Sequence, residues 1–349
     1  MIDYRFGDDF LSSLFRLRLK SGRPKISTQF THSVPDTYNS APPSGALLVD
    51  NYMKLSISKA ILAAGILSLL AVSITDARQR GGPQQPGALP KLTKVRDDIY
   101  LIENAGQTVA EIGAYGGNIT LALTDEGVIA VDSKNERIHE DVLAKIKSLT
   151  SQPVKYLVLT HNHADHAAGA AMFASEGAQV LITTADRENM AKSRNPGWLP
   201  QWTYAGKATL FLGGKQAQLM EYRGHTRGDT VVLFPHARVL VMGDLLTTAD
   251  TIPLIVNYDD GGSWAEWTRS VDSLLQMDWE TAIPGHGPTV TKQQVREIRA
   301  KMVAIQERVR SMNRERKGPD EISKQLISEF GWGSGPASNN VAGMIREFQ

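Results

Sequence analysis

The sequence contains no cysteine among its 349 residues. This absence excludes disulfide bonds, a thiolate nucleophile, zinc–thiolate sites and a lipoprotein acyl anchor, so any bound metal must use His, Asp or Glu ligands. An excess of charge is also lacking, because 38 Lys and Arg against 37 Asp and Glu give a formal net charge of +1. Such a balance does not favour a nucleic-acid partner.

Long hydrophobic runs are scarce as well. The apolar run at residues 60–74 has about 15 residues, whereas a membrane span needs roughly 20. Met53, Lys54 and Lys59 precede this run, and the small residue Ala77 follows it at a suitable cleavage position. The order is typical of a secretory signal peptide. We therefore predict a signal peptide at residues 53–77 and a periplasmic or secreted protein, with no stable membrane span after cleavage.

The segments on either side of this signal have different compositions. Residues 1–52 resemble neither a targeting segment nor a domain, and we interpret them as a doubtful leader upstream of a true start at Met53. The alternative is a translated, disordered leader, and peptides from residues 1–52 in the native protein would support it. Residues 78–94 are rich in Gly, Pro and Gln at their start and predict a flexible linker.

Residues 95–290 alternate between strand and helix patterns, which predicts a layered α/β domain. Helices are expected at 137–149, 185–192 and 264–277, and the glycine-rich residues 105–118 are expected to form a mobile loop or hairpin. Residues 291–349 are expected to form a C-terminal helical extension. Its first helix carries an apolar stripe at a spacing of three and four residues, formed by Val295, Ile298, Met302, Ile305, Val309 and Met312. We expect the stripe to pack on the domain; the alternative is a dimer through residues 291–312.

Metal-ligating residue types concentrate after an apolar strand at residues 157–159. His161, His163, Asp165 and His166 follow that strand within six positions, and surface histidines alone are a poor explanation for this density. Three more candidates end strands or occupy glycine-rich loops. These are His225, Asp244 and His286. The remaining histidines are assigned to solvent (His139), to a structural turn (His236) and to the leader (His32).

The motifs Thr160-His161-Asn162-His163-Ala164-Asp165-His166, Gly224-His225-Thr226, Gly243-Asp244 and Gly285-His286-Gly287 resemble those of the metallo-β-lactamase superfamily, in the same order. The resemblance extends from about Ile99 to Pro288. It implies a four-layer αββα sandwich with the metals at one edge. It also implies that a first metal is held by His161, His163 and His225, that a second is held by Asp165, His166 and His286, and that Asp244 bridges both. Asp132 matches an acidic position that orients a ligand.

The resemblance implies two Zn²⁺ ions, with Fe or Mn as alternatives, and a hydrolase. Two such ions can share a water and lower its pKa towards roughly 7, and the resulting hydroxide attacks a small amide, lactam, ester or lactone, with β-lactams in this range. Asp165 is expected to steer the nucleophile and relay its proton. The alternatives are a mononuclear iron oxygenase, a thioesterase similar to glyoxalase II, and a non-catalytic metal-binding partner protein. The Asp at position 244 is similar to glyoxalase II and lactonases, whereas several β-lactamase groups have Cys or Ser there.

Aromatic residues outside the motifs are candidates for a substrate-binding wall. Tyr115 lies in the glycine-rich segment. Trp198, Trp202 and Tyr204 lie in an irregular stretch that shows neither a helical nor a strand pattern of apolar residues. The alternative interpretation is aromatic packing under loops, and the sequence favours neither one.

Overall fold

The computed structural model describes residues 87–192, 197–249, 254–332 and 336–349. The leader at 1–52, the signal peptide at 53–77 and the linker up to residue 86 lie outside this range. The last four linker residues form a strand, β1 (Lys91–Lys94), which pairs with the next strand. The predicted linker of 78–94 is therefore too long at its carboxyl end. Within the described ranges, no helix has both the length and the apolar character needed to cross a membrane.

The first sheet has seven strands, arranged in chain order. Its first four strands are antiparallel and its last four, β4 to β7, are parallel. After β1 the strands are β2 (Ile99–Glu103), β3 (Ile119–Thr124), β4 (Gly127–Val131), β5 (Val154–Val158), β6 (Gln179–Thr183) and β7 (Trp202–Tyr204). Because β4, β5 and β6 run the same way, the residues that follow them meet at one edge of the sheet.

The second sheet has six strands in the order β13-β12-β11-β10-β9-β8. All neighbours are antiparallel except β11 and β12. The strands are β8 (Lys207–Leu212), β9 (Lys215–Tyr222), β10 (Asp229–Phe234), β11 (Val239–Thr247), β12 (Thr281–His286) and β13 (Val290–Thr291). The parallel pair brings the carboxyl ends of β11 and β12 to the same edge, and both strands carry predicted ligands.

Helices cover the outer face of each sheet. On the first sheet lie α1 (Val109–Tyr115), α2 (His139–Leu149), α3 (Ala164–Ala167), α4 (Ala170–Ser175) and α5 (Thr184–Ala191). On the second lie α6 (Trp264–Leu275), α7 (Lys292–Arg314), α8 (Pro319–Phe330) and α9 (Pro336–Glu347). A single 3₁₀ turn, Glu136–Ile138, leads into α2. The predicted helices at 137–149, 185–192 and 264–277 are thus present with ends shifted by one or two residues.

Three apolar clusters separate these layers. One lies between the sheets and includes Val158 from the first sheet and Val241 from the second. Another lies between the first sheet and its helices, and the third lies between the second sheet and helices α6 to α9. Helix, sheet, sheet and helix therefore follow one another, as the αββα expectation requires.

The C-terminal extension joins the third cluster directly. Five of the six stripe residues are buried there, and Ile298 packs against them partly exposed. The stripe thus packs on the domain, as expected. A dimer through residues 291–312 stays a prediction, and it would have to use the other face of α7.

Two local expectations were wrong. The glycine-rich segment at 105–118 contains helix α1, whose start is fixed by a capping box between Thr108 and Glu111. His139 is not in solvent but only 2% exposed, with its ring edge on Phe173 and its Nε2 3.0 Å from Glu176 Oε1. An aromatic neighbour and a carboxylate thus bury a histidine whose local sequence looked polar.

Candidate metal centre

The seven predicted ligands converge at one edge of the sandwich. Strand β5 ends at Val158, and the turn that follows carries His161 and His163 before α3 begins at Ala164. Asp244 lies within β11, and His286 is the last residue of β12. Gly243 has φ of 52°, and a Cβ there would lie 2.6 Å from Cβ of Thr160, so only glycine allows β11 to approach the β5 turn this closely.

One group of ligand atoms consists of three imidazoles. Single ring nitrogens of His161, His163 and His225 lie within 4.8 Å of one another. Nδ1 of His163 and Nε2 of His225 are 2.9 Å apart. We call these three residues the first group.

A second group combines a carboxylate with two imidazoles. It consists of Asp165, His166 and His286, whose ligand atoms also lie within 4.8 Å of one another. Asp165 Oδ2 is 3.2 Å from Nε2 of His286 and 3.6 Å from Nε2 of His166. The two imidazole nitrogens are 3.1 Å apart.

The carboxylate of Asp244 lies between the two groups. Its Oδ2 is 3.7 Å from Nε2 of His225 and 4.0 Å from Nε2 of His161. Its Oδ1 is 3.3 Å from Nε2 of His166 and 3.4 Å from Nε2 of His286. One oxygen therefore faces each group, which is the arrangement that a bridging ligand needs.

Asp132 supports ligands of both groups from behind. It accepts hydrogen bonds from the backbone N of Thr160 at 2.7 Å and from the Thr160 hydroxyl at 2.8 Å. Its Oδ2 is also 2.8 Å from Nδ1 of His166. Since the Thr160 hydroxyl gives its proton to Asp132, it accepts from Nδ1 of His161, 3.0 Å away. Nε2 is then the ring nitrogen that faces the site in both His161 and His166.

Two polar residues that the sequence analysis missed support His163. Asp260 Oδ2 lies 3.2 Å from Nε2 of His163, which leaves Nδ1 as the ligand atom. Asn257 lies 2.8 Å from the same nitrogen and donates to Asp260 at 2.7 Å. The third imidazole of this group, His225, donates from Nδ1 to the carbonyl of Ile255 at 2.6 Å. These partners come from residues 255–260, far along the chain from the β5 turn, and no local pattern marks them.

Burial and charge keep two imidazoles of the first group, His161 and His225, neutral. Burial, with the nearby charges of His166 and His163, holds the pKa of His161 well below its ordinary value. Burial likewise lowers the pKa of His225 to about 4, against the charge of Asp244. Both rings are therefore unprotonated at neutral pH, which is the form that binds a metal.

The second group has the opposite electrostatics. Burial alone would raise the pKa of Asp165, but the charges of His166 and His286 lower it to about 2. The same two histidines hold the pKa of Asp244 well below its usual range. Burial would lower the pKa of His166, but Asp165, Asp244 and Asp132 raise it well above the ordinary value. The carboxylates thus attract positive charge to this position, and a cation can take the place of these protons.

The donor set fits divalent metal ions. His161 Nε2 and Asp244 Oδ1 are buried, face the site and have no hydrogen-bond partner among the described residues. Unpaired buried polar atoms are costly, so two of them in one place indicate a ligand-binding site. Imidazole and carboxylate are ligands that zinc, iron and manganese accept. The site is therefore a candidate metal centre.

The segment around α1 closes over the second group. A Cβ on Gly117 would lie 2.3 Å from the ring of His166, so this glycine packs directly on a ligand. Asn118 donates from its backbone N to the carbonyl of Gly285 at 2.8 Å and from Nδ2 to Pro284 at 2.9 Å. The segment predicted as a mobile loop is thus bonded to the strand that carries His286.

The predicted wall residues have other partners. Tyr115 is buried in the outer cluster of the first sheet and donates to the carbonyl of Gly87 at 2.8 Å, and Trp198 packs on the same cluster. Tyr204 donates to the Thr230 hydroxyl at 2.7 Å. Trp202 is 58% exposed on the edge strand β7. Tyr115, Trp198 and Tyr204 match the alternative interpretation of aromatic packing. The substrate wall stays a prediction.

Comparisons with known proteins agree with this geometry. The family model of the metallo-β-lactamase superfamily matches residues 112–286. The metallo-β-lactamase from Pontibacter korlensis superposes with a TM-score of 0.53 over 61% of this chain and 98% of its own, at 23% identity, which shows a shared fold. The chain therefore belongs to the metallo-β-lactamase superfamily, whose members are metal-dependent hydrolases or related enzymes.

Two curated relatives have different activities. The 2,4-dinitroanisole O-demethylase subunit alpha of Nocardioides sp. (strain JS1661) is 31% identical over 176 residues, which cover 48% of this chain and 52% of that subunit. The metallo-beta-lactamase type 2 of Elizabethkingia meningoseptica is 26% identical over 200 residues, covering 56% of this chain and 78% of that protein. The chain thus spans about half the length of the first relative. Family membership leaves the substrate undetermined.

Proposed function

We propose that the protein is a dinuclear zinc-dependent hydrolase acting on a small amide, lactam, ester or lactone substrate. The observation that supports this most strongly is the pair of ligand groups with one Asp244 oxygen turned towards each. The first group would hold one cation, the second group would hold the other, and Asp244 would bridge them. A protein with a single metal would use only one of the two groups.

When bound, a pair of divalent cations supplies an activated water and polarises the substrate oxygen. The protein's own residues set up that chemistry. Asp132 and Asp260 fix the ligand rings, so the nitrogens already face the site before a substrate arrives. Asp165 is 29% exposed, the most open of the carboxylates that face the second group, and it stays ionised at neutral pH. It can therefore accept a hydrogen bond from the attacking water and pass the proton on. No serine or cysteine nucleophile is required.

We also propose that the protein is exported through the signal at residues 53–77 and works outside the cytoplasm. The support is the order of basic, apolar and small residues in that segment. N-terminal sequencing of the native protein tests it: a mature start near residue 78 is expected. An uncleaved chain recovered from the cytoplasm would contradict export.

A second candidate activity is cleavage of an aryl methyl ether. The similarity to the O-demethylase subunit favours it, because that subunit is 31% identical to the chain and the Elizabethkingia metallo-beta-lactamase is 26% identical. A substrate of that kind would use the same metal centre with a different leaving group.

A substrate screen on the purified protein tests the proposal. The panel contains β-lactams, lactones, thioesters, phosphodiesters and a nitroaryl methyl ether, each assayed with and without a chelator. Hydrolysis that the chelator abolishes and zinc restores is expected. His163→Ala should lose the activity, whereas His236→Ala, which changes an imidazole bonded to Asp98 outside the site, should keep it.

Metal analysis of the same samples separates the alternatives. Two zinc ions per chain support the dinuclear hydrolase, and one iron per chain supports the oxygenase. Activity on thioesters alone would indicate the glyoxalase II-like alternative. A His163→Ala protein with unchanged function would support a non-catalytic metal-binding role and contradict the proposal.

A further inference from the structure

The C-terminal extension contacts a loop that supports the first ligand group. This loop, residues 254–262, precedes α6; we call it the support loop. Trp332 donates from Nε1 to the carbonyl of Leu254 at 3.2 Å. Asn340, in α9 and 4% exposed, accepts a hydrogen bond from the backbone N of Val256 at 2.6 Å. The extension thus satisfies backbone groups in the first half of the loop.

Glu347, near the end of α9, binds Tyr258 within the loop and the residues that follow the loop. Its carboxylate accepts from the backbone N atoms of Trp264 at 3.0 Å and Ala265 at 3.1 Å, so it caps the start of α6. It also accepts from the hydroxyls of Ser263 and Tyr258. Burial and the charge of Glu347 raise the pKa of the Tyr258 hydroxyl, which therefore remains a donor at every working pH.

Close packing adds to these hydrogen bonds. A Cβ on Gly343 would lie 2.2 Å from the Tyr258 ring, so α9 lies directly against the side chain that Glu347 binds. The extension therefore fixes the start of the support loop, Tyr258 within it and residues 263–265 that follow it.

The support loop in turn holds two imidazoles of the first group. The carbonyl of Ile255 accepts from His225, and the backbone N of Asn257 donates to the carbonyl of His225 at 2.8 Å. Asp260 accepts a hydrogen bond from Nε2 of His163, and Asn257 donates to the same Asp260 oxygen. Asp132 and the α1 segment contact His166 of the second group. Among the described residues, the hydrogen bonds of Asn340 and Glu347 lead to the support loop and the start of α6, and none of them reaches the second group.

We propose that Asn340 and Glu347 are positioning residues for the first metal, acting through the support loop. The inference rests on the proposed metal centre. Both residues lie beyond residues 112–286, the span that matches the superfamily, so this support belongs to the chain's own extension. Substitution of Asn340 and Glu347 should therefore weaken binding of the first metal and leave binding of the second metal unchanged.

Co²⁺ titration of the full chain tests the proposal. His286→Ala removes a ligand of the second group, so the first group alone is complete in that background. His225→Ala removes a ligand of the first group, so the second group alone is complete in that background. Asn340→Leu combined with Glu347→Gln should weaken Co²⁺ binding about tenfold in the first background, as loss of a ligand's supporting partner does. Binding in the second background should not change. Asn340→Asp keeps the oxygen that accepts from Val256. A double variant that carries Asn340→Asp in place of Asn340→Leu should therefore regain Co²⁺ affinity in the first background.

Glu329→Gln is the matched control. Glu329 lies in α8 of the same extension and bonds to Arg308 and Gln325, away from the support loop. It should leave Co²⁺ affinity unchanged in both backgrounds. Equal weakening in both backgrounds, or none in the double variant, would overturn the proposal.

Hydrogen exchange on the metal-free protein gives a readout that needs no metal. The amide of Asn257, bonded to His225, should exchange about tenfold faster in the Asn340→Leu, Glu347→Gln protein and at the normal rate in the control. Unchanged exchange would reject the role of the extension even if the chain binds metal. Failure of the parent protein to bind Co²⁺ would instead reject the proposed function, and exchange would still decide whether the loop is supported.

Discussion

The pH dependence of stability should depend on a buried lysine behind the metal centre. Lys134 is fully buried and has φ of 58°. Its Nζ donates to Oδ1 of Asn104 at 2.7 Å and approaches the carbonyl of Gly116 at 3.5 Å. Burial lowers its pKa from 10.5 to about 7, although the charges of Asp165 and other carboxylates oppose the shift. Near neutral pH the ammonium is therefore half deprotonated.

The sign of the effect follows from proton binding. Between pH 7 and 10.5 the unfolded chain keeps the lysine proton and the folded chain releases it, so the free energy of unfolding rises with pH. Each pH unit is worth about 1.4 kcal/mol once the folded form is fully deprotonated. From pH 7 to pH 9, allowing for the half-protonated start, Lys134 should add about 2 kcal/mol.

Urea denaturation of the metal-free protein at both pH values measures this gain. Lys134→Met keeps the length of the side chain and removes the titration. Other ionisable groups are shared by both proteins and cancel in the difference. The parent protein should therefore gain about 2 kcal/mol more than Lys134→Met between pH 7 and pH 9. Parallel pH profiles for the two proteins would refute the depressed pKa.

Three substitutions around the ligands test the partners that support them. Gly117→Ala places a methyl group against the ring of His166 and should weaken binding of the second metal by about tenfold or more. Gly113→Ala is the control, because the space around its Cβ is open, and it should leave the affinity unchanged. Competition with a chromophoric chelator measures both affinities. Asp132→Asn removes the charged partner of the same ring, and a fall in zinc affinity of about tenfold is expected in that assay. Asp260→Asn should weaken the first metal by a similar factor, and an unchanged affinity would show that its hydrogen bond is dispensable.

The metal ligands could be predicted from sequence because their types and spacing are specific. Imidazoles and carboxylates crowded after a buried strand have few uses other than metal binding, and glycines at the other loops indicate close approach. Most strands were also predictable, since continuous apolar runs mark buried strands. The edge strands β1, β7 and β13 were not, because they carry no such run. The family match at residues 112–286 and the solved structures confirm the αββα fold.

Features that depend on distant contacts could not be predicted. Asp260 supports His163 across 97 positions of chain, and nothing near residue 260 indicates a partner. His139 looked exposed because its neighbours in sequence are charged, yet Phe173 and Glu176 bury it from another helix. Helix α1 is a different case: four glycines suggested a loop, although the Thr108 and Glu111 capping box was visible in the sequence.

Metal content of the purified protein tests the central claim most directly. Mass spectrometry of the metal in the native protein, before and after dialysis against zinc, should give two ions per chain. His225→Ala and His286→Ala should each retain one. A native protein that is free of metal and takes up no zinc, or single variants that still hold two ions, would contradict a dinuclear centre built from the seven converging side chains.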